Sequence, residues 1–306
     1  MGGARPGVGG SEMSAISPLL TGLCDDAALF PPGNAALESA VPAHFAHEDS
    51  EHADLVGPFV FPETRLAELP PVLADRGDRT LPLSLTVPGG TDSVPQALEK
   101  VRAIDGVRLV ALEIAVPIDQ SVPDLFAALR EISSAAPGVD IYVEVPRDGR
   151  RSDILAALPA AGYRAKFRTG GVVADAYPDE AELAAAIEIA VSRNVPFKAT
   201  AGLHHAVRNT DPETGFEQHG FLNLMLATHL AGTGAGTDAV AAALADRDGA
   251  RLADTLGALP AEAVAALRDR FRSYGTCSIG DPLTDLTALG LVPDLESSAV
   301  DEGTHA

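Results

Sequence analysis

The chain has no tryptophan, four tyrosines and two cysteines in 306 residues. So few large aromatics argue against an aromatic binding cage. Cys24 and Cys277 stand alone, which excludes a disulfide framework and a cysteine metal motif. Long hydrophobic runs are also missing. No stretch reaches 18 uncharged apolar residues, so no membrane-spanning helix is expected. Met1-Gly2-Gly3-Ala4-Arg5-Pro6-Gly7 lacks the apolar run of a secretory signal, so the expected compartment is the cytoplasm. Basic residues are scarce, 22 against 43 acidic ones, for a net charge of −21. Such a surface repels phosphate backbones, and no nucleic-acid partner is expected. No Walker loop is present, and no Gly-x-Gly-x-x-Gly follows a strand, so no nucleotide cofactor is called for. Apolar residues are plentiful at 46%, which excludes a disordered chain.

Lysine is the scarcest charged type. Of the 22 basic residues only Lys100, Lys166 and Lys198 are lysines. Lys100 belongs to the polar surface of a helix. The other two interrupt apolar, strand-like runs, where a charge needs a reason.

A repeat organises the chain from residue 54 onward. Apolar runs end in proline: Phe59-Val60-Phe61-Pro62, Leu83-Ser84-Leu85-Thr86-Val87-Pro88, Leu112-Glu113-Ile114-Ala115-Val116-Pro117 and Tyr142-Val143-Glu144-Val145-Pro146. Pro88, Pro117 and Pro146 are spaced 29 residues apart, which marks one repeated supersecondary unit. Proline cannot donate to a ladder and so ends a strand naturally. Between the runs lie helix starts at Ser93-Val94-Pro95-Gln96, Ser121-Val122-Pro123-Asp124 and Asp179 with Glu182. Strand, helix, strand at this spacing gives right-handed crossovers and a parallel sheet.

Strand phase separates a closed barrel from an open sheet. Leu83, Leu85, Val87, Leu112, Ile114, Val116, Ile141, Val143 and Val145 form one phase, all aliphatic. The alternate phase holds Ser84, Thr86, Glu113, Ala115, Tyr142 and Glu144, then Lys166, Arg168, Lys198 and Thr200. An open doubly wound sheet needs aliphatics on both faces. One aliphatic and one polar face fits an α/β (β/α)8 TIM-type barrel, with helices outside and polar groups inside at the C-terminal mouth. Seven strands are read directly, and residues 24–30 are the candidate for the eighth. Helices are expected over 219–232, 237–255 and 260–272, a helical insertion at about 209–272 before a last strand over 273–279. The barrel is expected to be a single domain over 14–294, with loose polar tails at 1–13 and 295–306. A homo-oligomer is left open.

Four ionisable groups, Glu113, Glu144, Lys166 and Lys198, share the inward phase near strand ends. Two lysines at ~5 Å and an effective dielectric of ~20 repel by roughly 3 kcal/mol. Before compensation by Glu113 and Glu144, which pull the other way, that would bring one amine to near ~8 from its reference of ~10.4, suited to nucleophilic attack on a carbonyl, with a carboxylate moving protons. The bland alternative is Lys–Glu ion pairs that fill the barrel. Arg168 and Arg208 flank turns at the same end, and Thr169-Gly170-Gly171 offers backbone N–H groups, so a small anionic substrate is expected. His204 is a candidate acid, base or substrate donor. His204, His205 and His219 with Glu113 and Glu144 also offer metal-binding types, although the spacing matches no short metal motif. Asp26 in Asp25-Asp26-Ala27-Ala28-Leu29-Phe30 is a further candidate for the site. His44, His47 and His52, beside Glu48, Asp49 and Glu51, read as a solvated helix face. Cys277 reads as outward and structural, with Thr276 and Ser278 inward.

The motifs Lys166-Phe167-Arg168-Thr169-Gly170 and Lys198-Ala199-Thr200-Ala201-Gly202 resemble the paired lysine motifs of deoxyribose-phosphate aldolase and related Schiff-base aldolases. The rest of the chain resembles other bacterial TIM-barrel proteins more than it does that family. The resemblance implies an imine-forming Lys166, a tuning Lys198, and Glu113 or Glu144 as acid/base in a lyase. It covers residues 163–202. The family carries Asp where this chain has Glu, and its Gly-Gly is Ala201-Gly202 here. Three function classes are thereby open: a lysine-dependent lyase on an oxygenated anionic carbonyl compound, a metal-dependent hydrolase or isomerase, and a non-catalytic small-molecule binding barrel.

Overall fold

Runs of β-branched and aliphatic residues alternate with amphipathic stretches, and they form alternating strands and helices. The computed structural model describes residues 16–293. Its strands are β1 (Cys24–Asp26), β2 (Val56–Pro62), β3 (Leu81–Val87), β4 (Val107–Ala115), β5 (Asp140–Glu144), β6 (Arg164–Arg168), β7 (Phe197–Thr200) and β8 (Phe271–Thr276). They close into a barrel in which β1 pairs with both β2 and β8, and every pairing is parallel. This is a (β/α)8 TIM-type barrel. The candidate eighth strand is therefore present, though only its first three residues are strand. The tails expected at 1–13 and 295–306 lie outside the described residues.

The aliphatic phase faces the helices. Leu83, Leu85, Leu112, Ile114, Ile141 and Val143 join Leu98, Leu125, Leu129 and Leu155 of the surrounding helices in one buried cluster. Each such side chain contributes roughly 1.5–3 kcal/mol when fully buried. Two of the three expected caps form. Ser121 Oγ accepts from the Asp124 N–H, and Asp179 Oδ1 accepts from the Glu182 N–H. Ser93 makes no such bond, because a 3₁₀ turn over Thr91–Ser93 leads straight into the helix Val94–Arg102.

Between β7 and β8 lie a short hairpin, Asn209–Thr210 with Glu217–Gln218, and four helices: Phe221–Thr233, Thr237–Ala245, Gly249–Gly257 and Ala261–Arg270. The helix expected over 237–255 is two helices. Asp248 ends the continuity by capping the second one, accepting from the Arg251 N–H, while Asp246 pairs with Arg251. The helix Phe221–Thr233 is buried from Phe221 to Thr228. Phe221 stacks on Tyr274 of β8 at 4.9 Å between centroids, so this helix packs directly on the barrel.

Two expectations about phase need correction. Ser273 and Tyr274 settle β8: Ser273 Oγ donates to Asp25 inside the barrel, while Tyr274 packs on the outer helix. Thr276 therefore lies in the outward phase, opposite to expectation, because the strand begins at Phe271 and its pairing with β7 shifts register between Phe271 and Tyr274. His44 is not on a solvated face. It is fully buried, with Nδ1 3.0 Å from Asp26 Oδ2.

Gly57 on β2 shows how tight the interior is. A Cβ there would overlap Asp25 Oδ1. Asp25 cannot swing away, because Lys198 and Ser273 both hold it. Gly57→Ala is expected to cost about 1–3 kcal/mol by overpacking, measured by urea denaturation. Gly149→Ala, where a Cβ meets nothing within 4 Å, is the control and should leave stability within about 0.5 kcal/mol.

Candidate functional site

A parallel barrel gathers the C-terminal ends of all its strands at one rim. The polar phase fills the space beneath that rim. Glu113 of β4 and Lys198 of β7 are not on neighbouring strands, yet Glu113 Oε1 lies 2.5 Å from Lys198 Nζ. Such a contact is possible only across the barrel interior. Lys198 Nζ also donates to Asp25 of β1. Glu113 Oε2 lies 2.8 Å from Lys166 Nζ, and Glu144 Oε2 lies 3.0 Å from the same amine. Glu144 Oε1 in turn accepts from Arg168 Nε at 3.0 Å. The six groups alternate in sign: Asp25, Lys198, Glu113, Lys166, Glu144, Arg168.

Neutral groups complete the layer. Ser84 Oγ donates to Glu113 Oε1 at 2.6 Å, and Ser273 Oγ donates to Asp25 Oδ2 at 2.8 Å. The Tyr142 ring faces Lys198 Nζ, 5.4 Å from its centroid, a distance at which the ring stabilises the cation. The chain of charges rises from a dry floor to an open end. Lys198 is 1% exposed, whereas the Arg168 side chain is 47% exposed at the end of β6.

Burial alone lowers both amines, but the carboxylates around them reverse it, so Lys166 and Lys198 are both held above the ordinary lysine value. Of the two opposing effects expected on the amines, the carboxylates prevail over lysine–lysine repulsion: Glu113 stands between the two lysines, and attraction exceeds their mutual repulsion. Burial raises Glu113 and Glu144 too, yet the cations beside them bring both below the ordinary range. Asp25 goes the other way. Burial, aided by the charge of Glu113, pushes its carboxyl up against the pull of Lys198.

The remaining candidate residues go to several places. Thr169 is buried, and its hydroxyl donates to the Ala201 carbonyl at 2.7 Å. Gly170 packs on Gly202, where a Cβ would come within 2.7 Å of the Gly202 Cα. These contacts tie the loops after β6 and β7 together beside Thr200, with Gly171 against Ala176. Ala201 takes a left-handed φ of 64° at the rim, a strained conformation for a residue with a Cβ. Arg208 and Arg168 hold different carboxylates. The Arg208 guanidinium binds Glu180 at 2.7 Å and Glu217 at 3.2 Å. The three histidines take different partners. His204 Nδ1 lies 3.4 Å from Cys277 Sγ, His205 pairs with Asp285, and His219 Nε2 lies 2.8 Å from the Pro178 carbonyl. They are not assembled with Glu113 and Glu144, and among the described residues no three His, Cys, Asp or Glu side chains are grouped to hold a metal ion.

Asp26 points outward to His44, and its neighbour Asp25 is the aspartate inside the barrel. Sequence reasoning missed Asp25, Ser273 and the bond from Ser84. A strand of three residues, Cys-Asp-Asp, shows no alternation from which to read its phase. The only usable signal was Cys24, whose apolar burial places it, and hence Asp26, on the helix side.

Comparison with protein-family models, with curated proteins and with solved structures returns no match to the chain. The class is set by the barrel and its charge cluster alone: a TIM-type barrel with an alternating lysine–carboxylate chain beneath its C-terminal mouth.

Glu113 and Glu144, depressed below 4.5, stabilise the fold fully above that pH, and this is lost as pH falls through their folded values. Lys166 and Lys198, raised above 10.5, contribute fully below that pH and lose it only as pH rises through their folded values. Asp25, raised above 3.8, has the opposite acid-side sign and costs stability as pH rises past that value. Glu113→Gln leaves two buried ammonium groups short of a partner and should cost about 3–5 kcal/mol at pH 7. Its stability should also fall less steeply than wild type below pH 4.5. Asp25→Asn should cost less, since Lys198 keeps Glu113. Urea denaturation across pH measures both variants, and an unchanged Glu113→Gln midpoint at pH 7 contradicts the assignment.

Proposed function

We propose that the protein is an enzyme acting on a small, oxygenated, anionic carbonyl compound at the C-terminal mouth, through a lysine-dependent lyase reaction. The observation that carries this reading is the position of Lys166. Its amine is bonded to Glu144, which links it to the exposed guanidinium of Arg168. A substrate carboxylate or phosphate that binds Arg168 competes with Glu144 for it. Glu144 then loses a cation that stabilised its charge, and its basicity rises. It takes a proton from Lys166 Nζ, 3.0 Å away, and the neutral amine adds to the carbonyl, losing water to form an imine. Lys198 stays an ammonium between Asp25 and Glu113 and holds Glu113 in place.

The raised pKa of Lys166 favours a second reading. In it Lys166 remains an ammonium and stabilises an oxyanion that develops on the substrate, without any covalent bond.

Borohydride trapping with aldehydes and ketones that carry a phosphate or carboxylate separates the two. The imine route predicts a reduced adduct on Lys166 by peptide mass mapping, absent in Lys166→Arg. Turnover without an adduct, partly retained in Lys166→Arg, supports the ammonium reading. Binding with neither turnover nor adduct leaves a non-catalytic binding barrel. Arg168→Gln should raise KM about tenfold to a hundredfold, the worth of a charged hydrogen bond.

A further inference from the structure

The mouth holds a second group of reactive side chains apart from the charge chain. Cys277 directly follows the end of β8, and His204 lies four residues beyond the end of β7, the neighbouring strand. The loops bring Cys277 Sγ and His204 Nδ1 to 3.4 Å. Both residues are only half-buried. Gly33 is closely packed there, with a Cβ at that position only 3.0 Å from Cys277 Cβ. The sulfur therefore has a base within hydrogen-bond reach, and closely packed backbone holds the cysteine in place.

We propose that Cys277 and His204 form a thiol–imidazole pair at the mouth, a site of covalent modification at which Cys277 attacks electrophilic carbon and His204 takes its proton. Burial pushes the Cys277 thiol up and the His204 imidazole down, so the resting pair is a neutral thiol beside a neutral base. His205, Asp211 and Asp281 surround His204, and Asp281 and Asp26 act on Cys277. The ligand class is a soft electrophile such as an alkyl halide. The Sγ–carbon bond forms as the carbon–halogen bond breaks. The halide leaves with the electron pair, and the thiol proton passes to His204 Nδ1 and on to water.

The protein contains its own control. Cys24 is fully buried, and burial pushes its thiol up to about 12. Iodoacetamide labelling of the folded protein, followed by peptide mass mapping over pH 6 to 8.5, tests the proposal. Cys277 should be alkylated and Cys24 spared. The rate should rise through the imidazole titration and then level off above pH 7, because the base and not the thiol limits it. His204→Gln and His204→Ala should each slow labelling about a hundredfold at pH 7, the low end of general-base effects, and restore a rate that climbs about tenfold per pH unit. Loss of folding in a variant reveals itself as Cys24 labelling, and the wild-type pH profile then decides alone. A wild-type rate that climbs tenfold per pH unit, or a folded protein that does not label Cys277, overturns the proposal.

Discussion

The barrel interior depends on one arrangement: a buried carboxylate shared by two lysines. Moving an ammonium or a carboxylate out of water costs several kcal/mol per ion even after relaxation. Glu113 offsets that cost for both lysines at once, one on each of its oxygens. Asp25 and Glu144 extend the chain at either end, and Arg168 brings the sum of three acids and three bases to zero. Remove the central carboxylate and two cations face each other in a dry space. The same chain also fixes geometry. It links β1, β4, β5, β6 and β7 through their side chains, beyond the ladder bonds between neighbours.

Much of this was legible in the sequence, because a barrel imposes two periods that survive in the residues. The 29-residue spacing of Pro88, Pro117 and Pro146 carried the repeat. The contrast between Leu112 and Ile114 on one side and Glu113 on the other carried the phase. The proximity of Lys166 and Lys198 followed from that phase, and they do pair across the β6–β7 ladder. The opposing effects of the second lysine and of the glutamates also followed, but not which of them prevails. The sign of a pKa shift depends on what stands between two amines, and linear order cannot show that a glutamate from β4 reaches between strands β6 and β7.

Short elements were the least legible. Three residues of β1 give no alternation, so the choice between Asp25 and Asp26 had no local basis, and it was decided by which side could hold Cys24 and His44. In β8 a register shift, not composition, set the phase of Ser273. The break at residues 246–248 is different in kind. Asp248 is a good cap, but the apolar pattern through both helices masks it.

Lysine scarcity gives the most direct test of the charge chain. Only three lysines exist, and Lys100 is exposed on a helix. In protein labelled with ¹⁵N-lysine, the side-chain nitrogens give three assignable signals, with Lys166→Arg and Lys198→Arg to identify two of them. Following those signals from neutral pH upward reads the protonation state of each amine. The account predicts that Lys166 and Lys198 remain ammonium groups past pH 10.5, with proton exchange slowed by burial. A Lys166 or Lys198 signal that titrates near pH 8 would show that the two amines repel unscreened, and would contradict the shared carboxylate at the centre of the barrel.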